Sequence, residues 1–267
     1  MVKPEIFGSR KSILKDYLEN IKKAYPDIEI INRIWFGTCL YKYNPDKKTR
    51  YIIFYECCDE NEFNVKDINF LQEIFNPYIP ILKVYIKGDL FNFFDIQKEK
   101  TITLESKYVP RFILSKIKCD KRKLQMAITE TKNGVSDLSK FFREKCFGRL
   151  GISDIDLIVI FKNNNKVFFI EEKLYTKIIN NKYTGDIGLG QLLSLKEIVN
   201  DVLSYKQKIY FFILFYDEKS SKWFKWDLMK NKEKKYAKYY SKQYKEHRFL
   251  FNDLEEIEIN NLFNDIY

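Results

Sequence analysis

Asp156, Glu171 and Lys173 are the residues whose types and spacing could do chemistry. They stand in "SDIDLIVIFKNNNKVFFIEEK", residues 153–173, where Asp156 opens one apolar run and Glu171 and Lys173 close the next. Carboxylates and ammonium groups lose much hydration when buried without partners. Such charges either end a strand in solvent or converge on something. Asp and Glu oxygens are hard ligands suited to Mg²⁺, which keeps several waters. The ion lowers the pKa of a bound water and neutralises charge growing on a phosphate. A lysine beside it can orient or deprotonate the attacking water, or stabilise the pentavalent state. The plain alternative is a surface salt bridge at a strand end, worth about 0–1 kcal/mol.

Positioning these groups requires two strands, 154–161 and 166–172, joined by "KNNNK". Side chains directly opposite in an antiparallel pair share a face. A two-residue loop at Asn163-Asn164 sets Asp156 opposite Glu171. A loop at Asn164-Asn165 sets it opposite Lys173. Residues 171 and 173 share a face by period two. Either even loop therefore gathers all three, and a three-residue loop without a bulge separates them. Asparagine suits the positive φ of tight hairpin turns.

Glu-x-Lys alone is weak evidence, since it occurs four times: Glu105–Lys107, Glu130–Lys132, Glu171–Lys173 and Glu233–Lys235. Glu105 is a real competitor, because it follows "TITL" and has Asp89 and Asp95 upstream. Only the third copy sits in a wider pattern. "FGRLG" precedes its hairpin, and a helix with apolar Leu138, Phe141, Phe142 and Cys146 precedes that. The glycine-rich segment "YTGDIGLG" reads as a loop leading to a helix over 191–204. Its inward stripe is Gln191, Leu195, Ile198 and Val202, and a glutamine on such a stripe needs a partner. The apolar strand "KIYFFILFY" follows.

This pattern resembles the PD-(D/E)XK nuclease superfamily. The resemblance implies an α/β (α+β) fold: a restriction-endonuclease-like core of a mixed β-sheet flanked by helices, here with an N-terminal α+β region. Asp156 looks like the family's metal-binding Asp, Glu171 its second ligand and Lys173 its catalytic lysine. The backbone carbonyl of Glu172 matches a third ligand. Glu144 looks like the helical acid of some subfamilies, and Gln191 like the glutamine that starts the next helix. "SDID" stands where the name-giving motif has Pro before Asp, so Asp154 is an alternative ligand. The likeness covers roughly residues 135–217. It implies a Mg²⁺-dependent endonuclease acting on DNA, with Mn²⁺ as a substitute. The narrower expectation is a type II restriction endonuclease. A Holliday-junction resolvase, a repair nuclease and a non-catalytic DNA-binding protein on this fold are the alternatives, and a homodimer is left open.

The rest of the chain is consistent with a globular protein. It has 267 residues, 45% of them hydrophobic and 17% aromatic, enough for a large core. No 18-residue apolar run or signal-peptide pattern stands out, so a cytoplasmic, intracellular protein without membrane contact is expected. The five cysteines lack CxxC spacing and read as reduced, mostly buried residues. A single histidine, His247, excludes sites that need two imidazoles and reads as a surface residue.

The net charge is +10 and unevenly spread. Residues 219–248 hold ten Lys and one Arg against three acids, with seven aromatics interleaved. Such a segment can neutralise phosphates and stack rings on bases. Lys222, Trp223, Lys225, Trp226, Lys234, Lys235, Lys238 and Lys242 are the candidate DNA contacts. A solvated lysine-rich helix with its aromatics in the core is the competing reading. The acidic tail after it is expected to cover an edge. No internal repeat or long linker is evident. The N-terminal region (1–130) reads as α+β, opening with a helix over 12–24, and the nuclease-like region spans 131–267.

Overall fold

A computed structural model describes residues 14, 22, 28–31, 33–39, 48–64, 69–118, 138–145, 150–173, 177–179, 182–204, 208–217, 219–231, 237–242, 246–251 and 253–263. The helix expected over 12–24 lies outside these, apart from Leu14 and Lys22.

Along the chain, β1 (Ile28–Ile31), β2 (Ile34–Cys39) and β3 (Arg50–Glu56) precede two short helices, α1 (Glu60–Asn64) and α2 (Asn69–Ile74). A meander of β4 (Ile81–Lys87), β5 (Leu90–Asp95) and β6 (Lys100–Glu105) follows, then α3 (Val109–Lys116) and α4 (Leu138–Lys145). Next come β7 (Leu150–Ile155), β8 (Leu157–Phe161), β9 (Lys166–Lys173), β10 (Lys177–Ile179) and β11 (Lys182–Gly188). Helix α5 (Leu189–Glu197) runs into a π-helical turn, Ile198–Val202. The described chain closes with β12 (Lys208–Asp217), β13 (Lys222–Asp227), α6 (Leu228–Asn231), β14 (Ala237–Ser241), β15 (Glu246–Phe251) and β16 (Glu255–Ile257).

The fold is mixed α+β. One six-stranded sheet has the order β6-β5-β4-β3-β2-β7, and a second has β1-β8-β9-β12-β13-β16. A smaller sheet has the order β10-β11-β15-β14. In the second sheet β8 and β9 form the expected antiparallel hairpin, and β12 lies parallel to β9. The chain returns between those two strands through β10, β11 and α5, as a parallel step requires a long connection.

The two large sheets share a seam. Strand β1 pairs with β8, Ile31 across from Ile158, and β2 pairs with β7, Ile34 across from Ile155. Both pairings keep one register, so β1–β2 and β7–β8 are two bent ribbons running antiparallel through both sheets. The single strand expected over 154–161 is therefore two strands. It breaks at Asp156, where the chain leaves one sheet for the other. Strands from both sides of residue 130 share each sheet.

Main-core side chains come from both large sheets, α2 and α5, with Phe36, Ile53, Phe75, Phe169, Leu195, Phe211 and Phe215 among them. A second core, including Phe54, Phe91, Phe141 and Phe142, lies beneath α3 and α4. A third covers the other face of the β8–β9–β12 strands with Leu14, Phe168, Phe212 and Phe263. Strands buried on both faces read as unbroken apolar runs, which is why "LIVIF" and "KVFFI" show no alternation.

Two segments differ from expectation. The glycine-rich "YTGDIG" is strand β11, paired with β15. Pairing and burial override the weak strand propensity of glycine here. A Cβ at Gly185 would lie 2.4 Å from Cε1 of Phe215, so glycine lets the two elements approach closely. The basic segment is not a helix but β13, the short α6, β14 and β15. The acidic tail does cover an edge: β16 pairs with β13.

The cysteines also need correction. Cys39 is disulfide-bonded, while Cys57 and Cys58 are free thiols. Linear spacing does not show which thiols meet in space. Among the described residues no helix is long and apolar enough to cross a membrane.

Candidate active site

The hairpin register decides how the three charged residues meet. Leu157 pairs with Ile170 and Phe161 with Lys166. The connection is a four-residue loop, Lys162–Asn165, with a 3₁₀ turn and Asn165 at φ 52°. It is longer than the two-residue loop expected but even, and it keeps the register that sets Asp156 opposite Glu171. Four-residue hairpin loops of this sort are common.

On β9, Val167 and Phe169 point into the main core. Glu171 and Lys173 continue that face by period two. Glu171 is 1% exposed. Its Oε1 accepts from the Lys173 ammonium and from the Gln191 side-chain amide. Its Oε2 is buried and has no hydrogen-bond partner among the described residues. Asp156 Oδ2 accepts the backbone N–H of Glu172 at 2.6 Å. Thus Asp156, Glu171, Lys173 and Gln191 come together.

Gln191 sits in the first turn of α5. The stripe read from the sequence faces inward, with Leu195, Ile198 and Val202 all buried. The partner its glutamine required is Glu171. The α-helix ends earlier than expected, at Glu197, and the π-helical turn carries the stripe to Val202.

The electrostatics follow from burial. Burial pushes the Glu171 carboxyl up to about 8; Lys173 pulls it down, and Asp156 and Asp154 push it further up. Burial also raises Asp156, to about 6, against the lowering by Lys173 and by the Glu172 N–H. Burial alone would lower Lys173, but Glu171 and Asp156 outweigh it and hold the lysine above its ordinary value. The site therefore keeps its lysine cationic and still lacks positive charge.

A divalent cation fits that deficit. Asp156 and Glu171 offer hard oxygens, one of them an orphaned buried atom. Among the described residues no three His, Cys, Asp or Glu side chains form a metal cluster. The protein would supply two carboxylates and a carbonyl, with water completing the shell, as Mg²⁺ prefers. The Glu172 side chain lies on the opposite face from Glu171, so its role would fall to the backbone. Asp154 lies in β7 and acts on both carboxylates through its charge. Glu144 falls in α4, and its side chain lies outside the described residues.

The competing Glu105–Lys107 pair is different. Its ion pair spans 2.6 Å, with side chains 49% and 56% exposed. Glu130 and Glu233 lie outside the described residues. Asp95 is buried but ion-paired with Lys116.

The expected DNA contacts divide. Trp223 and Trp226 are buried, at 6% and 2% exposure, and Trp226 stacks on Phe251 at 4.4 Å. Their rings cannot stack on bases, which corrects both assignments. Trp226 packs into the main core on one face of β13 and Trp223 into the third core on the other, because the strand is covered on both sides. Lys222 and Lys225 pair with Glu256 at 2.7 Å and Glu255 at 3.4 Å, so the acidic tail offsets part of their charge. Lys238 and Lys242 are exposed at β14 together with Tyr240. His247 is exposed, as expected, and meets the Tyr240 ring edge-on. Lys234 and Lys235 lie outside the described residues. Tyr240, one of the seven interleaved aromatics, stays exposed; only its place on an edge strand distinguishes it from the buried aromatics nearby.

No family model matches the chain, and no curated protein or solved structure matches it.

Proposed function

We propose that the chain is a Mg²⁺-dependent endonuclease hydrolysing DNA phosphodiester bonds, on a restriction-endonuclease-like core. The observation that carries this reading is Glu171 Oε2, a buried carboxylate oxygen without a partner among the described residues, beside a second carboxylate and a lysine. A buried carboxyl oxygen left unsatisfied is unfavourable, and carboxyls perturbed by burial beside other charged groups cluster at functional sites.

Asp156 and Glu171 would hold the ion, with the carbonyl of Glu172. When bound, Mg²⁺ supplies charge neutralisation on the phosphate and a more acidic water. The chain's own groups do the rest. Lys173 stays protonated and stabilises negative charge developing on the phosphate. Gln191 fixes the Glu171 carboxylate by holding Oε1, leaving Oε2 directed to the ligand. Lys238, Lys242 and Tyr240 offer a backbone-binding and stacking edge.

The narrower reading is a type II restriction endonuclease; a Holliday-junction resolvase or repair nuclease differs in substrate, not in this chemistry. The test is incubation of the protein with plasmid and with four-way-junction DNA, with and without Mg²⁺. The reading expects Mg²⁺-dependent cleavage that is lost in Asp156→Asn and in Lys173→Ala. Undiminished cutting by either variant rejects these assignments. Which DNA is cut decides between the narrower readings.

A further inference from the structure

The two large sheets have the same plan. Reading β7-β2-β3-β4-β5-β6 beside β1-β8-β9-β12-β13-β16, each sheet runs antiparallel, antiparallel, parallel, antiparallel, antiparallel. In each, a hairpin (β2–β3 or β8–β9) is followed by a helical crossover to a parallel strand (β4 or β12). That strand then turns back as another hairpin.

Side-chain faces agree as well. Phe36 pairs with Ile53 and Ile53 with Ile81; Ile158 pairs with Phe169 and Phe169 with Phe211. All six enter the main core. The next residues, Phe54 and Leu82 in one unit and Ile170 and Phe212 in the other, enter the second and third cores.

The contacts between the units are reciprocal, as at a two-fold axis. Strand β1 of the first unit pairs with β8, and β7 of the second pairs with β2. At the ends of the crossovers, Asn76 N–H donates to the Val202 carbonyl at 2.8 Å, and Ser204 N–H donates to the Ile74 carbonyl at 2.7 Å. Phe75 and Leu203 bridge between them.

We infer that the chain is two copies of one folding unit about an internal two-fold, with a reactive centre in the second copy only. The register locates the corresponding positions. Two residues beyond Phe169 stands Glu171, across from Asp156; two residues beyond Ile53 stands Tyr55, across from Ile34. One step of two further lie Lys173 and Cys57. The first copy thus has Ile34, Tyr55 and Cys57 where the second has Asp156, Glu171 and Lys173. Its position is closed: Ile34 is fully buried, and the Tyr55 hydroxyl donates to Glu62 Oε1 at 2.6 Å. The Glu62 carboxylate that reaches this position is occupied on both oxygens, Oε1 by the Tyr55 hydroxyl and Oε2 by the Cys58 backbone N–H at 2.6 Å. The sequence shows no repeat because a shared fold needs only shared apolar pattern, and the two patterns have drifted apart.

Resting on the nuclease reading above, the inference makes this chain a built-in pseudo-dimer that cuts one strand per encounter. Calorimetric titration of the DNA-free protein with Mn²⁺ tests the count. One site per chain is expected, absent in Asp156→Asn and retained in Tyr55→Phe. Two sites per chain, or loss of the site in Tyr55→Phe, overturns the single-centre inference. No site at all overturns the nuclease reading itself. On supercoiled plasmid with protein limiting, nicked circles are expected to build up before linear DNA. Linear product without a nicked intermediate overturns the one-strand inference, whereas DNA left intact in both Mg²⁺ and Mn²⁺ counts against the nuclease reading.

Discussion

Asp156 Oδ2 accepts the Glu172 backbone N–H at 2.6 Å, at the corner where the chain passes from one large sheet to the other. The aspartate that faces the site therefore also ties the start of β8 to the end of β9. Its neighbour Glu171 is held in turn by Lys173 and Gln191. The site's geometry and the seam between the sheets depend on the same few groups.

Asp156→Ala removes the acceptor of that N–H, and Asp156→Asn keeps one. An unsatisfied buried donor destabilises by about 1–3 kcal/mol. The alanine variant is expected to unfold at lower urea than the asparagine variant, with both inactive. Equal midpoints would show that the bond does not secure the corner.

Gln191→Leu removes a donor that favours the ionised form of Glu171. The carboxyl then rises further above its already raised value. Metal binding, measured by calorimetry across pH, should require a higher pH than in the wild type, with the fold intact by circular dichroism. An unshifted pH profile would reduce Gln191 to a packing residue.

The raised Glu171 pKa, about 8, fixes a sign. A carboxyl whose folded pKa exceeds its unfolded value contributes stability that is fully present below the unfolded pKa and lost as pH rises through the folded one. Glu171→Gln does not titrate. The stability of the wild type relative to Glu171→Gln should therefore fall between about pH 4 and 8, by on the order of a few kcal/mol. Saturating Mg²⁺ should flatten this trend. A difference that stays level with pH in metal-free buffer would contradict it.

Trp226→Ala and the pair Lys238→Ala with Lys242→Ala separate core from surface. Truncating the buried tryptophan should destabilise by about 3–5 kcal/mol. The lysine pair should leave the melting temperature within a degree or two of the wild type. It should also reduce the slope of log affinity for DNA against log salt by about 1–2. An unaltered slope would remove β14 from the contact surface.

The local pattern was enough to read the hairpin, the shared face of Glu171 and Lys173, and the inward stripe from Gln191 to Val202. Each depends only on period two or period 3.6 within one segment, and segments that apolar have one way to bury themselves. The surface position of His247 and the edge-covering tail were legible for the same reason, from charge alone.

What needed the tertiary structure is of another kind. Asp156 stands at a bend because β1 and β2 draw the ribbon into two sheets, which no local signal encodes. "YTGDIG" becomes a strand because β15 lies beside it and Phe215 leaves no room for a side chain at Gly185. Trp223 and Trp226 are buried because cores close on both faces of β13, although their lysine neighbours read as a solvated surface. The correspondence of Glu171 with Tyr55 emerges only from strand pairing. Residues fix their own preferences, but which face is buried and which charges meet are settled by partners distant in sequence.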